Sequence, residues 1–488
     1  MSNIIDLSNK REMFWDDYLV DRSLSDTVAQ VCPLGEGTQV AEVPDPIISY
    51  PSICKVDDEY RMYYIGGWND GEVMLDDGSS YHLGVKVITS RDGINWEFPK
   101  VNGRDDNVAI ENVLDNVFVY RDTNPDCPAE ELYKAVASGR YFDNKYGLYM
   151  FTSADGFNFK ISRFITDKGS FDTCNTLHYI NGKYVCYIRS WHDYKAPANE
   201  TKCMMNDFYN TPTSNNEVCR LRSICVLYSD DCVNWSDPVE LTYNDDLDHQ
   251  MYTNNAMVYE RAPHLMIGFP SRYCERLTWN ENYSQLSGYE RRWKSYNSAN
   301  PREGLALTDC LFMFSRDTKT WTRYNEAFIT PGYETEYNWV YGDCYPAFGF
   351  VDSGKEYYMM YSHGYHHEFD KPKPLYMYKV RKDGFACQKA DSKERLLVTK
   401  PITFKGSALH LNFETSAYGY IIVELLDEKG NEIEGKNCFE VFGNSIDRKV
   451  IFEDGSDFSE YEGKTIRLRF RMRDAKLYSM KFEQTSNA

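Results

Sequence analysis

SRDGINW, residues 90–96, is the stretch on which the fold turns, because variants of it recur along the chain. SADGFNF occupies 153–159, SDDCVNW 229–235 and SRDTKTW 315–321, and a degenerate fifth copy, RKDGF, begins at Arg381. The common content is Ser, any residue, Asp, a small or polar residue, two further positions and then an aromatic. Asp caps a tight turn through its carboxylate, Gly tolerates a positive φ, and the aromatic starts the next strand by packing between layers. One copy would carry little. Five copies mark a repeat.

Each copy follows a pair of short β-rich runs divided by turn residues. PSICKV (51–56) precedes YRMYYIG (60–66), TLHYI (176–180) precedes KYVCYIR (183–189), and NAMVY (255–259) precedes HLMIGF (264–269). AFGFV (347–351) precedes EYYMMYS (356–362), and VFVYR (117–121) leads through a longer loop to LYKAVAS (132–138). Such pairs read as hairpins. With one strand before and one after each Ser-x-Asp turn, every unit has four strands. Four-stranded sheets repeated radially make a propeller, here five-bladed, with the first strand of each blade lining a narrow channel. The apolar N-terminal run Met13-Phe14-Trp15 with Tyr18-Leu19-Val20 is expected to close the last blade. After about residue 388 the pattern changes to alternating runs such as LHLNF (409–413), GYIIVELLD (419–427) and IRLRFRMR (466–473). These predict a β-sandwich. The expected fold is all-β: a five-bladed β-propeller over 1–388 and a β-sandwich over 389–488.

Composition sets the outer limits. The 488 residues are 42% hydrophobic and 26% charged, which suits ordinary globular domains, and two or more units are expected at this length. The 39 Tyr, 26 Phe and 9 Trp favour pleated, half-buried surfaces. A formal net charge of −20 repels phosphate backbones and anionic lipid, so neither nucleic acid nor membrane is an expected partner. No run reaches the ~18 apolar residues of a membrane span. The N-terminus lacks the basic start and apolar run of a signal peptide. The 14 Cys are scattered without CxxC or zinc spacing, so free thiols in a reducing cytoplasm are expected, with no metal and no cofactor.

On these motifs the chain resembles the five-bladed glycoside hydrolases: invertases, fructanases, levansucrases and arabinanases. The Ser-x-Asp-x-x-x-Trp turn is their blade turn, and a β-sandwich after the propeller is the invertase and fructanase layout. FWDDYLVD (14–21), YTNNAMVYERAPHLMIGFPSRY (252–273), LFMFSRDTKTW (311–321) and DAKLYSMKF (474–482) also resemble a bacterial family of propeller proteins of unassigned activity. The resemblance implies carboxylates placed just before the first strands of different blades, converging on the channel mouth.

Glycoside hydrolysis needs one carboxylic acid to protonate the leaving oxygen and a second carboxylate as nucleophile or base. Asp172 stands in the slot of the Asp of the invertase-type Arg-Asp-Pro motif, although Phe171 and Thr173 replace its neighbours. Ser49 occupies the nucleophile slot of the first blade, which leaves Asp45 as the nearby acid. In the fourth blade the acid slot falls near Thr253-Asn254, and Asp248 is the carboxylate upstream. Before the fifth blade stand Glu336 and Asp343, close to Trp339. Asp115, before the second blade, is a further candidate, whereas Asp16 and Asp17 read as rim residues. Asn175, Arg189, Tyr252, Asn254, Arg272 and Trp339 are the expected sugar contacts. The expected activity is glycoside hydrolysis of short oligosaccharides or glycosides. The alternatives are a glycoside phosphorylase, with Arg189, Arg272 and His363 as its basic groups, and a non-catalytic carbohydrate-binding propeller.

Overall fold

In a computed structural model the described residues are 4–40, 49–74, 80–101, 103, 106–113, 115–194, 219–247, 249–276, 279–298, 302–335, 338–342, 344–363 and 375–484. The chain is mostly β, and its α-helices among these residues are short, Tyr289–Tyr296 and Arg302–Leu305. None is long and apolar enough to cross a membrane.

The repeated turns have one construction. Asp92 Oδ1 accepts from the backbone N–H of Ile94 and Asn95, each at 2.8 Å, while Ser90 Oγ accepts from Gly93 N–H at 2.9 Å. Asp155 and Asp231 repeat this at 2.8–2.9 Å, and Asp317 does so for Lys319 and Thr320. Asn95, Asn158 and Asn234 donate back to the second carboxylate oxygen at 2.7 Å. The fourth position has positive φ: 73° at Gly93, 75° at Gly156, 61° at Cys232 and 70° at Thr318. Asp383, in the degenerate copy, departs from the pattern. It takes the positive-φ slot itself (62°), and its fully buried carboxylate binds Tyr259, Arg261, Asn412 and Ser479. Burial pushes that carboxyl up, but Arg261 and Arg11 hold it below the usual carboxylate range.

Around the turns lie sheets in chain order. The first contains Ser49–Val56, Glu59–Met74, Ser80–Ser90 and Val108–Glu111; the second Phe118–Arg121, Tyr133–Gly139, Gly147–Ser153 and Lys160–Thr166. The third contains Thr176–Ile180, Lys183–Tyr194, Cys219–Ser229 and Val239–Glu240. In the fourth, Met257–Val258, Met266–Gly268, Met313–Ser315 and Thr320–Arg323 form the sheet, with Thr242–Tyr243 added parallel at its edge. A separate ladder of Gln250–Met251, Ser271–Glu275 and Ala306–Cys310 accompanies it. The fifth pairs Tyr345–Pro346 and Val351–Asp352 with Tyr357–His363, then Leu375–Arg381, then Thr38–Gln39.

Tyrosines clamp one sheet to the turn of another. Tyr63 of the first sheet donates to Gly156 O at 2.8 Å, Tyr187 of the third to Thr318 O at 2.8 Å, and Tyr361 of the fifth to Gly93 O. Buried amides and hydroxyls join the entries of the first strands: Val119 N–H to Ser52 Oγ (3.1 Å), Asn116 to Phe171 O (2.5 Å), Thr176 Oγ1 to Asn254 Oδ1 (3.0 Å) and Asn255 to Pro346 O (2.5 Å). The sequence of contacts returns to its start, since Ile53 N–H donates to Phe348 O at 2.8 Å. Buried polar groups are costly unless paired, so these bonds dictate which sheet stands beside which.

The N-terminal run departs from expectation. Residues 13–15 and 18–20 do not join the fifth sheet: Glu12–Met13 pairs with Ile466–Glu483, Val20 bridges Thr399, and the fifth sheet's edge is Thr38–Gln39. The reason is two-sided packing. Phe14, Leu19 and Val20 enter the C-terminal core with Leu409, Phe413, Leu468 and Phe470, while Trp15 enters the neighbouring core among Phe312, Phe314 and Phe385. After residue 388 two long antiparallel strands, Ala408–Asp427 and Ile466–Glu483, carry the C-terminal core. Asp16 pairs with Arg316 and Asp17 with Arg22.

Candidate active site

The first-strand entries of the second, third and fourth sheets bring together two carboxylates, two guanidiniums and a wall of rings. Arg189, on Lys183–Tyr194, is 3% exposed and pairs with Asp172, which is 52% exposed. Its guanidinium lies 4.4 Å from the Trp191 ring and 5.4 Å from that of Tyr252. Antiparallel pairing sets Arg222 directly opposite Trp191. Arg222 lies 3.9 Å from the Tyr273 ring and 5.3 Å from Tyr252, and donates to Gln250 Oε1 at 2.6 Å. Tyr252 stacks on Tyr345 (5.5 Å) and Tyr273 (5.9 Å), and Tyr50 lies 6.0 Å from Tyr345. A buried guanidinium is tolerated where ring faces and a carboxylate replace its water.

Asp115 is the second acid. Burial pushes its carboxyl above the ordinary value, while the Asn116 side chain and the Arg189 charge pull the other way. A half-buried acid whose carboxyl is raised by burial is suited to give up a proton, and an ion-paired carboxylate held by the same arginine can accept one or attack. Arg189 acts on both carboxylates.

The remaining expected residues fall into three groups. Asn175 and Asn254 are buried and committed to the frame. Asn175 donates to Thr173 O (2.7 Å) and Phe171 O (3.1 Å) and accepts from Arg189 N–H (3.2 Å), while Asn254 donates to Cys174 O (3.1 Å). They hold the strand entries in place. Arg272 is tied to Asp309 and to Asn325 O (2.9 Å), away from the ring wall. Trp339 sits at φ 57° with its indole N–H on Gly332 O at 2.8 Å, inside a loop held by Asn338. Asp45, Asp248, Glu336 and Asp343 lie outside the described residues, as does the His363 side chain.

Trp191, Arg222, Tyr273 and Tyr345 were not singled out by sequence. Their signal is a register: Trp191 and Arg222 meet only once Lys183–Tyr194 is paired with Cys219–Ser229. Among the described residues no group of His, Cys, Asp and Glu is arranged to hold a metal ion.

No protein-family model matches the chain, and no curated protein matches it. Among solved structures it is similar to an N-acetylgalactosamine deacetylase from F. plautii in complex with blood group B trisaccharide (10% identity, TM-score 0.38, covering 94% of this chain and 95% of that one). It is also similar to a structure from the GH130 family of mannoside phosphorylases (13%, 0.37, covering 77% and 96%) and to a β-xylosidase (11%, 0.39, covering 70% and 94%). Likeness this distant leaves activity to be argued from the residues.

Proposed function

We propose that the protein is a glycoside hydrolase of short oligosaccharides or glycosides, built as a five-bladed β-propeller with a C-terminal β-sandwich. The observation that carries the reading is Arg189, which pairs with Asp172 and whose charge also reaches Asp115. Asp115 gives its proton to the glycosidic oxygen as the bond to the anomeric carbon breaks. Asp172 serves as the base that activates water, or as the nucleophile. Trp191, which is partly exposed, offers a ring face to the sugar, and Tyr252 backs the two guanidiniums from within the ring wall. Asp45, Asp248, Glu336 and Asp343 remain candidates for the second carboxylate. The reading uses no cofactor and places the protein in the cytoplasm.

Aryl glycosides assayed with and without phosphate test it. Aryl alcohol release without phosphate, lost in Asp115→Asn and Asp172→Asn while folding is kept, is the expected result. Unchanged turnover in both variants defeats the assignment of these residues. A phosphorylase is the second reading, favoured by Arg189 and Arg222, whose guanidiniums lie at 5.4 and 5.3 Å from the Tyr252 ring. Paired guanidiniums suit phosphate. Turnover that requires phosphate selects it, and sugar binding without turnover selects a non-catalytic propeller.

A further inference from the structure

The strand Val28–Val31 lies antiparallel to Ala386–Ala390, with Val31 opposite Ala386 and Gln30 opposite Cys387. Cys32 follows directly, its N–H donating to Phe385 O at 2.9 Å. This diagonal across the two strands brings Cys32 Sγ to 3.6 Å from Cys387 Sγ. Cys387 is fully buried, while Cys32 is partly exposed. All five repeated sheets lie in the chain between these two residues. The two ends of that stretch are also joined by backbone ladders, Val28–Val31 on Ala386–Ala390 and Thr38–Gln39 on Leu375–Arg381, and by the Thr27 hydroxyl, which donates to Gln388 Oε1 at 2.9 Å.

We propose that Cys32 and Cys387 form a reversible disulfide latch, made by a peroxide-class oxidant, that closes the five-sheet array covalently. Cys32 is the attacking sulfur because it is the accessible one. The hydrogen bond with Cys387 and the charge of Lys476 also lower its pKa, against the effect of burial. The Cys32 thiolate attacks one peroxide oxygen; the S–O bond forms, the O–O bond breaks, and the leaving hydroxide takes a proton to become water. The Cys387 sulfur then attacks the sulfenic sulfur, the S–S bond forms, and the second oxygen leaves as water. In sum, two thiols and one hydrogen peroxide give one disulfide and two waters, with two electrons passing from sulfur to oxygen. A disulfide needs its sulfurs ~2.0 Å apart. The sulfurs start 3.6 Å apart on strands already held in register, and side-chain rotation with a small shift of the Cys32 backbone, which lies just past the end of its strand, supplies the remaining approach.

The latch acts on the unfolded chain more than on the folded one. Joining positions so far apart in sequence removes a large share of the freedom of the opened array, so the oxidised form resists unfolding. Reduction by a dithiol restores the non-covalent clasp. This inference is independent of the carbohydrate reading.

The test uses the full chain, oxidised with hydrogen peroxide, blocked at free thiols and digested without reduction. Mass spectrometry is expected to find a Cys32–Cys387 cross-linked peptide pair that dithiothreitol separates. The thermal midpoint is expected to rise by several degrees on oxidation, and the rise to be absent in Cys32→Ser and Cys387→Ser. Oxidation of folded wild-type protein that yields only higher oxides or other pairings at Cys32 overturns the proposal, as does a cross-link that leaves the midpoint unmoved. The wild-type peptide map decides even if a variant fails to fold.

Discussion

Arginines sit on strands in two places here, and they behave differently. Along Ile466–Glu483 the residues alternate: Leu468, Phe470 and Met472 are fully buried, while Arg467, Arg469, Arg471 and Arg473 face outward. Arg467 pairs with Asp21 at 2.8 Å, Arg471 with Glu394 at 3.0 Å, Arg469 with Glu424, and Arg473 lies over Tyr418 at 3.9 Å. Solvent screens these charges, and the pairs are worth little individually. At the first-strand entries Arg189 and Arg222 are buried, each laid against aromatic faces. Charge held away from water interacts more strongly with whatever replaces the water. The same residue type on the same kind of strand is thus solubilising in one region and suited to chemistry in the other, and burial makes the difference.

The largest effect that would sharpen this contrast is kinetic. Asp172→Asn should lower glycoside turnover by about 10²–10⁴-fold, and it should also lower the urea midpoint, because the buried Arg189 loses the carboxylate that offsets its burial. Next comes Arg189→Met, which should cost about 3 kcal/mol in urea unfolding by removing the compensation of a partly buried acid. A loss no larger than that of Arg471→Ala would break the comparison. Asp155→Ala should cost about 1 kcal/mol, since it frees the N–H groups of Phe157 and Asn158. Arg471→Ala should change stability by under about 0.5 kcal/mol.

The acids also make opposite demands on pH. The carboxyl of Asp115 is raised on folding, so its folded state binds more protons than the unfolded one. Its contribution is present below the unfolded value and is lost as pH rises through the folded one. Burial pushes Asp155 up, but the Asn158 and Phe157 N–H groups bring it down to about 2. Its contribution holds above the unfolded value and is lost as pH falls towards 2. Urea unfolding of Asp115→Asn and Asp155→Asn across pH 2–7 should remove opposite limbs of the stability profile. In the rate profile, an alkaline limb lost in Asp115→Asn would identify the proton donor.

Much of the repeat was legible because it is local. Ser90, Asp92 and Gly93 act on groups at most three residues away, so spacing along the chain stands for geometry. Asn95, Asn158 and Asn234 close the same turns, but the repeat does not mark their position, because Thr320 fills it in the fourth copy. The N-terminal run misled because Phe14 and Trp15 are both apolar, and apolarity does not say that adjacent residues serve different cores. Asn175 and Asn254 looked like sugar contacts from their place before the strands, yet their amides are taken up by Phe171, Thr173 and Cys174 carbonyls.

Sequence alone determined the repeated Ser-x-Asp turns, the hairpins before them and the change of pattern after residue 388. All of these depend on neighbours in the chain and on the two-residue period of strands. Only the tertiary structure decided that Arg189 meets Asp172 and Tyr252, that Arg222 faces Trp191, and that Cys32 stands beside Cys387. Those meetings depend on strand register and on which sheet lies next to which, and both are set by distant side chains competing to be buried with their polar groups satisfied.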